Sequence, residues 1–157
     1  VLGEVDGGWP VLEGVLNVGR GAVAAELVGC GEEAFGRTVS YLKERKQFGR
    51  AIGEFQALQH RAAHLYSEIE ITRAAVLKAL QQLDQKPEKA EPIVAIAKAR
   101  AGKTATLAVQ EAVQMHGGIG MTDEIDIGLF MKRVRVAEEL FGDTNFHADR
   151  LARLKQY

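Results

Sequence analysis

A single cysteine, Cys30, stands among 157 residues, so no internal disulfide can form. That usage fits a reducing compartment, and a cytoplasmic location is expected. No apolar run approaches the length needed to span a bilayer, and no signal peptide is visible. Charge of neither sign prevails: 20 Lys and Arg are scattered among 21 Asp and Glu, for a formal net charge of −1. A chain so balanced offers no electrostatic case for nucleic acid or an anionic membrane as partner. No stretch alternates with a period of two, and there is no internal repeat and no low-complexity linker. Cys-x-x-Cys, Gly-x-Ser-x-Gly and Glu-x-x-His are all missing. The last absence removes the di-iron carboxylate bundle, which needs Glu-x-x-His on two helices. His60 and His64 are four apart on one helical face, but Gln59 and Arg61 beside them offer no carboxylate, so they read as a solvated face and no metal site is expected.

What is present is helical periodicity. After the Gly7-Gly8-Trp9-Pro10 turn, Leu12, Leu16, Val23, Leu27, Cys30, Ala34 and Tyr41 fall on one helical face. Cys30 on that face reads as core rather than as a reactive thiol. The same helix carries Gly14, Gly19, Gly21 and Gly29. Each costs about 1 kcal/mol against alanine, so close approach by a neighbouring helix or a ligand is expected. A second helix from near Glu54 carries Leu58, Ala62, Leu65, Ile69, Thr72, Val76 and Leu83, and Asp84 to Pro87 end it. A third, opening between Pro87 and Pro92, presents Ile93, Ala97, Thr104, Ala108 and Met115 and stops at Gly117-Gly118. Thr122 or Asp123 is positioned to cap a fourth, which runs to about Leu140, and a short last helix spans about Thr144 to Leu154. Long helices with short connections predict an all-α fold, an antiparallel up-down four-helix bundle with a short extra C-terminal helix. Its core is expected to hold Leu16, Leu27, Leu65, Ile69, Val76, Ala97 and Ala108.

Two segments carry chemistry. The first helix closes in Arg45-Lys46-Gln47-Phe48-Gly49, and the third closes in Gln114-Met115-His116-Gly117-Gly118-Ile119-Gly120. A guanidinium suits a diphosphate because its planar fork binds bidentately. Glycines let a backbone approach a flat or anionic ligand closely. Each segment alone also reads as a helix C-terminus with a basic last turn and a glycine stop.

Together, with Ile52-Gly53-Glu54-Phe55-Gln56 between them, these motifs resemble the C-terminal domain of the acyl-CoA dehydrogenase family of flavoenzymes. The resemblance covers nearly the whole chain. Residues 1–10 look like the exit from that family's middle β-domain, and 11–157 like its helical bundle. The chain therefore looks like a fragment or a separated domain. The resemblance implies FAD as cofactor, with Arg45, Gln47, Phe48 and Gln56 at its diphosphate, and Gln114, Met115, His116, Gly117 and Gly118 at its adenosine and diphosphate end. It implies that these contacts cross a dimer interface to the FAD held mainly by the partner. Thr144 and Asn145 match positions that touch the flavin. Asn17 and Arg20 match positions lining the acyl-CoA site, Arg20 reading otherwise as a surface charge. The implied partners are an acyl-CoA substrate, an electron-transfer flavoprotein or similar acceptor, and further copies in a homo-dimer or tetramer.

The implied reaction is α,β-dehydrogenation of an acyl thioester, in which a carboxylate removes the α-proton and hydride leaves for the flavin. The segment matching the family's catalytic glutamate is Leu140-Phe141-Gly142-Asp143-Thr144, and the glutamate position is Gly142. The alternative position on the first helix is Gly19. Neither glycine can abstract a proton. Asp143 is the one carboxylate in the segment and the candidate catalytic base. It is equally the residue type that caps a helix starting at Thr144. His147, one turn on, is a further candidate. Two other readings stand beside an enzyme with an unusual base: a base-lacking subunit of a hetero-oligomer, and a helical interaction module without cofactor.

Overall fold

The computed structural model describes residues 3–157. Of the segment expected to lead out of a β-domain, Val1 and Leu2 lie outside the described residues. Five helices follow: α1 (Trp9–Glu44), α2 (Gln56–Gln85), α3 (Glu91–His116), α4 (Ile127–Glu139) and α5 (Thr144–Leu154). At 36 residues α1 is about 54 Å long. Pro10 lies in its first turn, where a missing N–H costs nothing.

Side-chain contacts fix the helix directions. Along α1, Gly21 meets Leu83, Glu32 pairs with Arg73, and Leu42 packs with Leu65, so α2 runs antiparallel. Glu68–Arg100 and Arg61–Glu111 set α3 antiparallel to α2. Arg37–Asp126 and Arg133–Glu26 set α4 antiparallel to α1. The result is the expected up-down bundle, with α3 as its axis, in contact with α1, α2, α4 and α5. α3 can occupy that place because its inward face is small. Ala97, Ala101, Ala105, Ala108 and Ala112 are all buried, and Ala105 and Ala108 meet α1 at Gly31. Short side chains at a contact allow helix axes toward the close end of the usual 8–10 Å spacing.

The core holds Leu27, Leu65, Ile69, Val76, Ala97 and Ala108 as expected, while Leu16 is only half-buried. The reason is local. The first turns of α1 are covered on one side only, where Glu13 pairs with Arg150 of α5, and Trp9, Val11, Val15 and Val18 are all at least 59% exposed. Cys30 is partly buried against the core, and burial pushes its thiol pKa up.

Three boundaries differ from expectation. α1 ends at Glu44, and the rest of the basic motif is a small hairpin in which β1 (Lys46–Gln47) pairs antiparallel with β2 (Arg50–Ala51). Its loop is Phe48-Gly49, both at positive φ (54° and 80°), the geometry that a two-residue hairpin of matching twist requires. α2 starts at Gln56, because Ile52–Glu54 form a single 3₁₀ turn. α4 starts at Ile127 rather than at a Thr122 or Asp123 cap. The Thr122 hydroxyl is engaged elsewhere, donating to Ile119 O (2.8 Å) to close the 3₁₀ turn Gly117–Met121.

Candidate functional site

The expected site residues fall into three places. The first is a groove of about 700 Å³ between the hairpin and the end of α3. Arg45, Gln47 and Phe48 line one side and Gln114, Met115, His116, Gly117 and Gly118 the other, with Tyr41, Phe55 and Leu58 between. Two sequence segments about seventy residues apart thus meet because α1 and α3 run parallel and end at the same level.

The groove is built to present donors and bare backbone. Arg45 is the C-cap of α1; its N–H donates to Tyr41 O (2.8 Å) and its carbonyl accepts from Ile52 N (2.8 Å). That fixes the backbone and leaves the side chain exposed. Arg45 takes part in none of the ion pairs found among the described residues. Opposite it, α3 stops at Gly117 with φ 68°, a left-handed stop that glycine takes without a Cβ penalty. Space around Gly117 and Gly118 is open on the side where a Cβ would stand. His116 forms the floor. Its ring stacks on Tyr41 at 4.4 Å, and Nδ1 lies 2.7 Å from Ala112 O. A carbonyl only accepts, so Nδ1 carries a proton and donates to it. The Met115 side chain turns instead into the core beside Leu65 and Ile69. Phe48, 89% exposed at the hairpin tip, meets Phe55 edge-on at 6.1 Å, and the Arg50 guanidinium lies 4.2 Å over the Phe55 ring. Gln56 is exposed at the start of α2 and is not part of the groove wall.

A second hollow behind the Tyr41–His116 wall, lined by Glu33, Arg37, Glu44, Glu124 and Asp126, has the opposite character. Its Arg37 is paired to both Glu33 and Asp126 at 2.8 Å, which leaves it no free fork. Of the two hollows, only the first presents a guanidinium that takes part in none of the ion pairs found among the described residues.

Thr144 and Asn145 lie in the second place, a groove of about 550 Å³ shared with His64, Gly102, Lys103, Arg135 and Glu138. Thr144 is held there: its N–H donates to Glu138 Oε1 (3.1 Å) and its hydroxyl to Ala99 O (3.2 Å).

The third place is the turn between α4 and α5. Asn17 and Arg20 on α1 are buried beneath it, so Arg20 is not a surface charge. Arg20 donates to Asn17 Oδ1 (3.0 Å) and, at 3.4 Å, to Phe141 O. Burial, with Arg150 nearby, lowers its pKa from the ordinary arginine value. Gly142 sits at φ 104°, and a Cβ there would lie 2.3 Å from a Phe146 ring carbon. At Gly19, a Cβ would stand 2.9 Å from the Phe141 ring. A side chain at either position that the resemblance reserves for a glutamate would therefore have to displace an aromatic ring, Phe146 at Gly142 and Phe141 at Gly19, and at Gly142 it would also meet a positive φ. The Asp143 carboxylate accepts from Phe146 N–H at 2.7 Å, capping α5.

His147 is fully buried, with Nε2 3.1 Å from Phe141 O and Nδ1 without a partner among the described residues. Burial first, then the charges of Arg20 and Lys98, push its pKa down to about 4. It is a neutral imidazole closed off from solvent, not a base facing a groove. Lys98, which the sequence reading passed over, is fully buried too, and its Nζ donates to Glu138 O (2.8 Å) and Gly142 O (2.9 Å). The signal was a lysine set among Val94, Ala97 and Ala101 on the apolar face of α3.

Comparison with known proteins agrees with this geometry. Residues 6–155 match the family model described as acyl-CoA dehydrogenase, C-terminal domain. The chain is 31% identical over 156 residues to the short/branched chain specific acyl-CoA dehydrogenase of Bos taurus mitochondria, covering 98% of this chain and 35% of that protein. It superposes on butyryl-CoA dehydrogenase from Megasphaera elsdenii with a TM-score of 0.93 at 29% identity, over 99% of this chain and 40% of that one. It superposes on PigA, solved with FAD and proline, with a TM-score of 0.84 at 26% identity, over 90% of this chain and 37% of that one. The chain spans about a third of the length of the curated relatives it matches. The extent of the family match and the near-complete superposition leave one conclusion, that the chain belongs to the acyl-CoA dehydrogenase family and corresponds to that family's C-terminal domain.

Proposed function

We propose that this chain acts as the C-terminal domain of an FAD-dependent dehydrogenase of acyl thioesters, and that the groove between the hairpin and α3 takes the diphosphate end of the cofactor. The observation that carries the reading is Arg45: a guanidinium on a fixed backbone, without an ion pair, facing the open glycine edge Gly117-Gly118. A diphosphate between them would receive charge-assisted hydrogen bonds from Arg45 and backbone contact from the glycines. Gln47, Phe48, Gln114 and the His116 ring would hold the rest of that end, with Gln56 beside it at the start of α2. PigA, a structural neighbour, is a protein solved with FAD. When bound, FAD supplies the hydride acceptor for the reaction. Because the groove is open on one side, it forms a wall of a site, and a second subunit is proposed to supply the remainder. A homo-dimer or tetramer, an acyl-CoA substrate near Arg20 and Asn17, and an electron-transfer flavoprotein as acceptor belong to the same proposal.

A specific observation favours the base-lacking form of this function over an unusual base. The one carboxylate of the turn is engaged as the α5 cap, the two glutamate positions are glycines that abut the rings of Phe146 and Phe141, and His147 is neutral and buried. The alternative keeps Asp143 as base, at the expense of its cap. The cofactor proposal is tested by titrating FAD into the assembled flavoprotein that carries this domain, as wild type and as Arg45→Ala. A drop of about tenfold to a hundredfold in affinity is expected for the loss of charge-assisted hydrogen bonds. Equal affinity in the two proteins would refute it.

A further inference from the structure

We propose that Lys98 is a positioning residue which locks the α4–α5 turn from below and thereby sets where Thr144 and Asn145 stand. The proposal rests on the functional reading above and extends it to Thr144 and Asn145, which match positions that touch the flavin in the resembled family.

The argument begins with cost. Lys98 is 0% exposed on a face otherwise made of Val94, Ala97 and Ala101. Burying an ammonium is unfavourable unless it is fully engaged, and a methionine of similar length would fill the same volume without a charge. The engagement is specific. Glu138 O is one of the last carbonyls of α4, which have no partner within their own helix. Neighbouring carbonyls find backbone donors: Val136 O accepts from Leu140 N, and Glu139 O from Gly142 N. Glu138 O and Gly142 O instead receive the Lys98 Nζ at 2.8 and 2.9 Å. Phe141 O, between them in sequence, receives His147 and Arg20. Three helices thus each send one donor to the carbonyls of a single turn.

That turn would not hold its shape alone. Phe141 and Gly142 are consecutive residues at positive φ (61° and 104°); glycine takes that region freely, but for Phe141 it is a strained conformation that persists only when its surroundings over-determine it. A cation at the C-terminus of α4 also meets the negative end of that helix. Burial lowers the Lys98 pKa from the ordinary lysine value, with Arg20 adding to that direction and the Glu138, Asp143 and Glu139 carboxylates opposing it. The lock leads directly to the proposed site. Glu138, whose carbonyl Lys98 holds, gives its carboxylate to the Thr144 N–H, and the Thr144 hydroxyl reaches Ala99 O, the residue after Lys98.

The test compares wild type with Lys98→Met in the 157-residue chain without flavin. Hydrogen exchange is followed at the amides of Thr144 to His147 and at core amides of α3 such as Ala105 to Val109. A positioning role predicts exchange at least about tenfold faster at the turn, with the α3 amides changed less than about twofold. Equal acceleration of both sets would mark a lysine that merely supports the bundle, and no change in either would show that the turn holds itself; each result overturns the proposal. If Lys98→Met does not fold, the wild-type chain still decides. The ammonium protons of Lys98 should exchange with solvent more slowly than those of the other lysines, and an equally fast Lys98 signal overturns the proposal. A second arm uses the flavin-bound protein. Lys98→Met should shift the visible absorption band of bound FAD, and an unshifted band would sever the turn from the cofactor. Failure of flavin to bind the wild type, with the exchange result intact, would defeat the functional reading and leave the lock standing.

Discussion

The hairpin groove and the α4–α5 turn both gather arginine, histidine and glycine, yet they use them in opposite ways. In the groove, Arg45 has a fixed backbone and a free guanidinium, and the glycines border open space. In the turn, Arg20, His147 and Lys98 are buried with their donors aimed at carbonyls, and Gly142 and Gly19 border aromatic rings. The same residue types therefore border open space in one region and packed side chains in the other. Unsatisfied donors mark the first, and satisfied ones mark the second.

The widest break between the two regions is expected from adding a side chain at their glycines. Gly142→Glu, which would restore a carboxylate where relatives of the resembled kind carry one, places a non-glycine residue at φ 104° and a Cβ 2.3 Å from Phe146. Strain of about 1–3 kcal/mol and overpacking of about 1–3 kcal/mol act together, so a loss of about 4 kcal/mol is expected in urea unfolding. Gly118→Ala, at an open position, should cost less than about 1 kcal/mol. Comparable losses at the two sites would erase the distinction.

His147 gives the next effect, through pH. Its folded pKa of about 4 lies below the ordinary 6.5, so the unfolded chain binds a proton that the folded one refuses. The groups around it are Arg20 from α1, Lys98 from α3, and Arg150 and the Phe141 carbonyl; all but the carbonyl disfavour the imidazolium. Stability from this residue is complete above about pH 6.5 and is lost as pH falls toward 4, about 3 kcal/mol across the window. His147→Gln keeps an amide donor for Phe141 O without titrating. It should flatten that part of the unfolding curve, and a slope that survives the substitution would take His147 out of the titration.

Arg45→Ala sharpens the contrast from the other side. A side chain without an ion pair contributes little to folding, so the unfolding free energy should move by less than about 0.5 kcal/mol. Flavin affinity should fall by the factor given above. A large stability loss would show that Arg45 belongs to the fold and not to a ligand.

The fold was legible because its code is local. Stripes such as Leu65, Ile69, Thr72 and Val76 state which face is buried, and Gly117 states where α3 stops. The groove was legible because its two motifs are continuous segments whose residue types suit a diphosphate. The α1 terminus was misplaced because the turn-forming pair Phe48-Gly49 lies inside a basic run that also suits a helix end. The turn was hidden for a different reason. Lys98, Arg20 and His147 come from three helices, and only the packing of α1, α3 and α5 brings their nitrogens to the three carbonyls of Glu138, Phe141 and Gly142. Lys98 in particular looks on paper like a solvated charge, and its burial follows from the direction α3 takes through the bundle.

The smallest expected effect decides the most about chemistry. Asp143 Oδ1 accepts from Phe146 N–H at 2.7 Å. If that hydrogen bond is its role, Asp143→Ala should cost about 1 kcal/mol of stability and Asp143→Asn only a few tenths, since asparagine caps nearly as well. Flavin reduction by an acyl-CoA, followed by stopped-flow bleaching in the assembled flavoprotein, should then be equally slow in wild type and Asp143→Asn. If Asp143 is the base, the asparagine variant keeps its stability but loses reduction by about a hundredfold or more, with acyl-CoA affinity little changed, because the carboxylate acts on the transition state. The two measurements are orthogonal, as a cap is read by stability and a base by rate. Fast reduction in wild type that survives Asp143→Asn would defeat both assignments and place the base outside this chain, because the neutral, enclosed His147 offers no exposed lone pair to a substrate.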